Sequence, residues 1–179
     1  MSNSKNSFNN KDILEIIKPD DALRILRLLE NESNEMREKI QQLAMEILSD
    51  VDPESISDDV YADLDRLDVE ELWDRSGKTR HGYVDPGEEA CEMFEEVLNP
   101  FIDEMKNYQK IGLNEDAKNY CIGIIMGISK YSEESNSQFL DWAADVPSEY
   151  MNTVIDEWKK GNPFADEAKE IEELFELDE

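Results

Sequence analysis

The chain is short of basic residues, histidine, cysteine and long apolar runs, and each shortage closes off a class of protein. It has one histidine and two cysteines, and its 18 Lys and Arg stand against 45 Asp and Glu, giving a net charge of −27 over 179 residues. Such a surface repels nucleic-acid phosphate and anionic membranes, so neither is expected as a partner. The lone His81 excludes any centre that needs two histidines, including the paired Glu-x-x-His motifs of di-iron bundles. Cys91, Cys121 and His81 lack the spacing of zinc ligands. A single cysteine pair makes no disulfide framework. Both cysteines lie in apolar helical patterns, which predicts buried, reduced thiols. No run approaches the ~18 apolar residues of a membrane span. The opening "MSNSKNSFNN" is polar, reading as a disordered tail over 1–10 rather than a signal peptide, and the expected location is cytoplasmic. No cofactor is expected.

Extended structure is also missing from the pattern. There is no sustained period-two alternation and no Asn-Gly or Asp-Gly hairpin signal. Apolar residues recur instead at intervals of three and four. Leu23, Ile25, Leu26, Leu28 and Leu29 form one broad face, and Met36, Ile40, Leu43, Ile47 and Leu48 another. Ile13 to Ile17 predict a short first helix ending before Pro19, with Asp20 or Asp21 capping the next. Val60, Leu64 and Leu67 make an amphipathic stripe, and Asp68 caps a short helix through Trp73.

"DPGE", residues 85–88, is a strong helix start: Asp85 caps and Pro86 fits the first helical position. Pro100 inside the helix that follows predicts a kink or break. "YCIGIIMGI", residues 120–128, is apolar nearly all round, which predicts a buried central helix over 113–131. Gly123 and Gly127 share one face of it, where a neighbouring helix can approach closely. A last hairpin is expected from Phe139, Leu140, Trp142 and Val146 to Trp158. The expected architecture is all-α, a single domain of antiparallel helical hairpins over 11–163. An acidic C-terminal helix follows over 164–179, either docked or loose.

The stretch "WDRSGKTRHGYVDPGEEA", 73–90, holds Gly77-Lys78-Thr79, the ending of a phosphate-binding P-loop. A P-loop needs another glycine where Leu72 stands, and a preceding buried strand. Both are missing, so the triplet reads as a turn between helices. Even so, Arg75, Lys78, Arg80 and His81 cluster here in an acidic chain, flanked by Trp73 and Tyr83. These six residues are the candidate binding site for a partner or an anion. The anion reading rests on the helix start at Asp85, although Asp85 would compete for the same N–H groups. The bland alternative is a structural loop whose cations pair with surplus carboxylates.

Glu92-x-x-Glu95 resembles the first motif of the all-helical nucleotide pyrophosphatases. The resemblance implies a divalent-metal hydrolase, with Glu88, Glu92 and Glu95 as candidate metal ligands. The second motif, Glu-x-x-Asp, is missing from the central helix, which offers only Glu115 and Asp116 near its start. A further alternative is an acidic nucleic-acid mimic that captures basic proteins.

Residues 101–125 resemble a tetratricopeptide-type helical hairpin. Phe101 and Tyr108 stand at large positions of its first helix, Ala117 and Ile124 at small positions of the second, and Cys121 at a large one. Glu104 and Met105 replace the usual Leu-Gly, Ser129 stands where proline often ends the repeat, and no second copy follows 34 residues on. The resemblance implies an αα-hairpin architecture, which HEAT-like packing would also explain, and a role in binding peptides or proteins. A non-catalytic protein-interaction or scaffold module, with a basic protein as partner, is the function expected.

Overall fold

The computed structural model describes residues 16–80, 82–161, 171 and 173–175; for Thr79 only the backbone is described. The expected 1–10 tail and all but Ile16 and Ile17 of the expected first helix therefore lie outside the described residues, as do His81 and most of 164–179. The fold is all-α, apart from one small pair of strands. The chain divides into two compact units that meet in sequence at Leu48 and Ser49, within the span 11–163 expected to be one domain.

The first unit is a helical hairpin. Helix α1 spans Pro19–Glu30 and α2 spans Asn34–Leu48. Helix α1 begins two or three residues earlier than caps at Asp20 or Asp21 would place it, because Pro19 takes the first helical position, and Lys18 provides no side-chain cap. Asp20 and Asp21 lie in its first turn instead, where they favour the positive end of the helix dipole. Ser33 starts α2 by accepting the Met36 N–H at 3.1 Å. Neither helix has a buried residue.

The second unit holds the core. Its helices are α3 (Pro53–Leu64), α4 (Val69–Arg75), α5 (Pro86–Lys110), α6 (Asn114–Glu134) and α7 (Val146–Gly161), with a short 3-10 turn at Gln138–Asp141. Asp52, Asp68 and Asp85 each cap a helix by accepting a backbone N–H two residues on. Helix α6 is central, as its apolar composition predicts. Tyr120, Cys121, Ile124, Ile125, Ile128 and Tyr131 are all buried along it. Helix α3 crosses its glycine face. A Cβ on Gly123 would lie 2.6 Å from the Ile56 Cβ and 2.8 Å from the Pro53 carbonyl, and one on Gly127 would lie 2.6 Å from the Val60 Cβ. The two glycines thus offset their helix-propensity cost of about 1 kcal/mol each by admitting the backbone of α3.

Three expectations give way. Of the kink or break expected at Pro100, the break does not occur: α5 runs through it as one 25-residue helix. Pro100 and Glu96 are exposed, so the carbonyl that loses its partner lies where water can serve it, while Phe94, Leu98, Ile102 and Met105 hold the other face in the core. Helix α6 spans Asn114–Glu134 rather than the expected 113–131, with no side-chain cap at Leu113. The expected helix around Phe139–Val146 is a 3-10 turn over Gln138–Asp141 followed by a loop into α7; Phe139, Ala143 and Val146 are buried along this stretch but Trp142 is 43% exposed.

Asp116, in the first turn of α6, is one of two buried polar residues among those described. Its Oδ1 accepts the N–H groups of Asp50 at 2.8 Å and Val51 at 3.1 Å. Asp50 has φ +79°, a left-handed conformation outside glycine. Asp116 therefore anchors the turn that leads into α3. Of the C-terminal segment, Ile171 is fully buried in the core and Phe175 packs partly against it.

Candidate functional site

Gly77-Lys78-Thr79 is not a bare turn. It forms strand β1 (Gly77–Thr79), which pairs antiparallel with β2 (Gly82–Val84) in the register Gly77–Val84, Lys78–Tyr83 and Thr79–Gly82. Gly77 and Gly82 have φ +84° and +140°, and side chains adopt neither readily. The two glycines therefore allow strands too short for any alternation pattern to reveal. No phosphate cradle results, because β1 follows α4 rather than opening a helix. Asp85 Oδ1 already accepts the N–H groups of Gly87 at 2.9 Å and Glu88 at 3.4 Å, the groups an anion at α5 would need.

The six candidate residues separate into different roles. Arg75, the last residue of α4, is an ion-pair staple. It donates through Nη1 to Glu96 at 2.9 Å and through Nη2 to Glu71 at 2.7 Å, with Glu89 at 3.7 Å. Hydrogen bonds to Glu96 and then Glu71 raise its pKa further above the ordinary arginine value. Its charge is spent on holding α4 to α5. Lys78 and Arg80 are exposed on the strand pair, and Tyr83, opposite Lys78, is 72% exposed. Trp73 is 48% exposed and meets Trp142, 43% exposed, at a ring-centroid distance of 4.6 Å and an interplanar angle of 78°. The 3-10 turn brings Trp142 to α4. Periodicity misplaced it because it assumed a helix whose apolar face included Trp142. Asp74 and Asp141, adjacent in sequence to the two indoles, are both exposed.

The alternative metal ligands do not converge. Glu88 and Glu92 are exposed, and Glu95 accepts a hydrogen bond from the Tyr150 hydroxyl at 3.1 Å. Among the described residues no group of three or more His, Cys, Asp or Glu could hold a metal ion. A groove of about 540 Å³ lies between α5 and α7, lined by Cys91, Glu95, Ile102, Lys106, Tyr150 and Glu157 among others. Two of its charges, Lys106 and Glu157, are paired with each other at 2.7 Å. Hydrogen bonds from Lys106 and then Lys160 hold the Glu157 carboxyl below the usual range. Burial, and then the nearby Glu149, push the Cys91 thiol up, which keeps it a poor nucleophile at neutral pH. The described residues also include no helix long and apolar enough to cross a membrane.

No protein-family profile, curated protein or solved structure matches the chain. The tetratricopeptide resemblance therefore assigns no family. At its positions Ala117, Cys121 and Ile124 are buried on α6, as ordinary packing of α5 against α6 requires.

Proposed function

We propose that this chain is a non-catalytic protein-interaction module that receives a basic segment of another protein on the Trp73–Trp142 pair. The observation that carries the reading is two indoles in edge-to-face contact, each about half exposed. Tryptophan is enriched among residues that dominate binding energy, and mutual contact orders both rings before a partner arrives. The adjacent Asp74 and Asp141, within a strongly acidic chain, favour Lys or Arg over the ring faces. Long-range attraction would raise the association rate, and the indoles would supply specificity.

The test is titration with an oligo-arginine peptide at physiological salt, followed by calorimetry. Trp73→Ala with Trp142→Ala leaves every charge in place and should weaken binding about tenfold, given ~0.5–1 kcal/mol for each exposed cation–π contact. Unchanged affinity in the double variant would mean that acidity alone attracts the peptide, and the platform reading would fail. Lys78→Ala with Arg80→Ala should bind the peptide slightly better. Weaker binding there would return the site to the strand pair.

A further inference from the structure

Trp73 and Trp142 enclose a corner rather than a flat stack. Their ring planes meet at 78°, with centroids 4.6 Å apart, so the edge of one indole stands against the face of the other. At 48% and 43% exposure, each ring keeps open surface beside that contact. Both walls are set in place by their own elements. Trp73 belongs to the last turn of α4, which Arg75 ties to Glu96 on α5. Trp142 lies between Phe139, which is fully buried, and Ala143, which is 2% exposed. A corner held in this way needs little ordering when a ligand enters. Among the described residues the only cation over an aromatic ring is Lys130, on Tyr61, so none of those cations lies over the indoles.

A corner of this shape discriminates among cations. An arginine guanidinium is planar and can lie flat on only one of two walls near a right angle. An unmethylated lysine ammonium is compact and strongly hydrated, and its three N–H donors seek acceptors that indole faces supply poorly. A methylated ammonium is round. Its charge spreads over the methyl groups, it sheds water more readily, and its carbon surface meets both ring faces at once. Charge then separates this cation from a neutral group of the same shape. Asp74 and Asp141 stand beside the two indoles in the chain, both exposed, and neither carboxylate makes an ion pair among the described residues. We propose, resting on the reading that a basic segment docks here, that the Trp73–Trp142 corner selects a methylated lysine side chain of that segment, trimethyl-lysine above all.

Calorimetry on the full chain at physiological salt tests this with three peptides. Each carries one central residue between two arginines: lysine, trimethyl-lysine, or the neutral tert-butyl isostere in which carbon replaces the nitrogen. Trimethyl-lysine should bind about tenfold tighter than lysine, as two cation–π walls predict, and the isostere about tenfold weaker than trimethyl-lysine. Trp73→Ala and Trp142→Ala each remove one wall, and each should cut the preference to about threefold or less. Helical circular dichroism equal to that of the native chain shows that a variant is folded. Equal affinity for lysine and trimethyl-lysine overturns the inference; where the oligo-arginine peptide still depends on the two indoles, the docking reading survives it. Oligo-arginine binding indifferent to both indoles overturns the docking reading. A trimethyl-lysine preference that persists in both single variants overturns this one, by placing the preference elsewhere. An isostere that binds as tightly as trimethyl-lysine also overturns it, because the corner would then read shape and not charge. So does Trp142-dependent partitioning of the chain onto neutral phosphatidylcholine vesicles, which would assign the corner to a lipid choline headgroup.

Discussion

The hairpin over 16–48 and the unit beyond Ser49 use the same helical pattern with opposite results. In the hairpin, apolar residues at intervals of three and four lead to no buried residue at all. In the second unit the same spacing leads to a core in which Phe94, Ile124, Ile128 and Trp158 are almost wholly excluded from solvent. The difference lies in the neighbours. Helix α6 is contacted by α3, α5 and α7, whereas within their own unit α1 and α2 have only each other among the described helices. Amphipathicity states that a face needs covering; it does not supply the cover.

The widest contrast between the units should appear on truncating one large apolar residue in each. Phe94→Ala removes a buried ring packed near Tyr131 and Tyr150, and should cost the second unit about 3–5 kcal/mol in urea denaturation. Leu28→Ala, at a mostly exposed position, should change the unfolding free energy of the second unit by less than ~0.5 kcal/mol. A comparable loss at both positions would mean that the hairpin belongs to the same cooperative core.

A smaller effect is expected from the polar anchor. Asp116→Ala leaves the Asp50 and Val51 N–H groups without their acceptor and should cost about 1.5–3 kcal/mol. Asp116→Asn keeps an oxygen there and should lose less than half as much. If Ala and Asn behave alike, the two hydrogen bonds are not what holds the turn.

Alkaline titration separates the units more gently. Burial pushes Cys121 up to about 12 from an ordinary 9, and Tyr131 up to about 12 from an ordinary 10. Tyr120 also rises to about 12, through burial and then the charge on Glu104. The folded state keeps protons that the unfolded state has released. The stability of the second unit is therefore fully present below about pH 9 and falls as pH rises through 12. The hairpin has no tyrosine or cysteine over 16–48 and should not share this limb. Urea midpoints followed by Trp emission, which reports only on the second unit, should drop between pH 8 and pH 11. Midpoints that stay level would show that these groups ionise without unfolding.

Several features were legible from residue type alone. Asp68 and Asp85 announced helix starts because a short acceptor before a helix satisfies N–H groups left open within the first turn. Gly123 and Gly127 announced a crossing helix because only close approach justifies two glycines on a buried face. The candidate site was half legible. Trp73 and Tyr83 are exposed as a binding role requires, and Lys78 and Arg80 are accessible. Arg75 follows the structural alternative given for the loop: Glu71, four residues before it, is a local pair, whereas Glu89 and Glu96 lie on the next helix, beyond any local pattern. The strand pair escaped because three residues are too few to show a period of two.

From its sequence alone, the chain was bound to be helical, acidic and without a multi-histidine centre, since periodicity, charge and residue counts are local or additive. Only the tertiary structure decided which apolar faces are covered, which carboxylates hold Arg75, that Trp142 turns outward to meet Trp73, and that Asp116 reaches back to Asp50 and Val51. Those outcomes depend on contacts between residues far apart along the chain, and such contacts form only after the helices have chosen their neighbours.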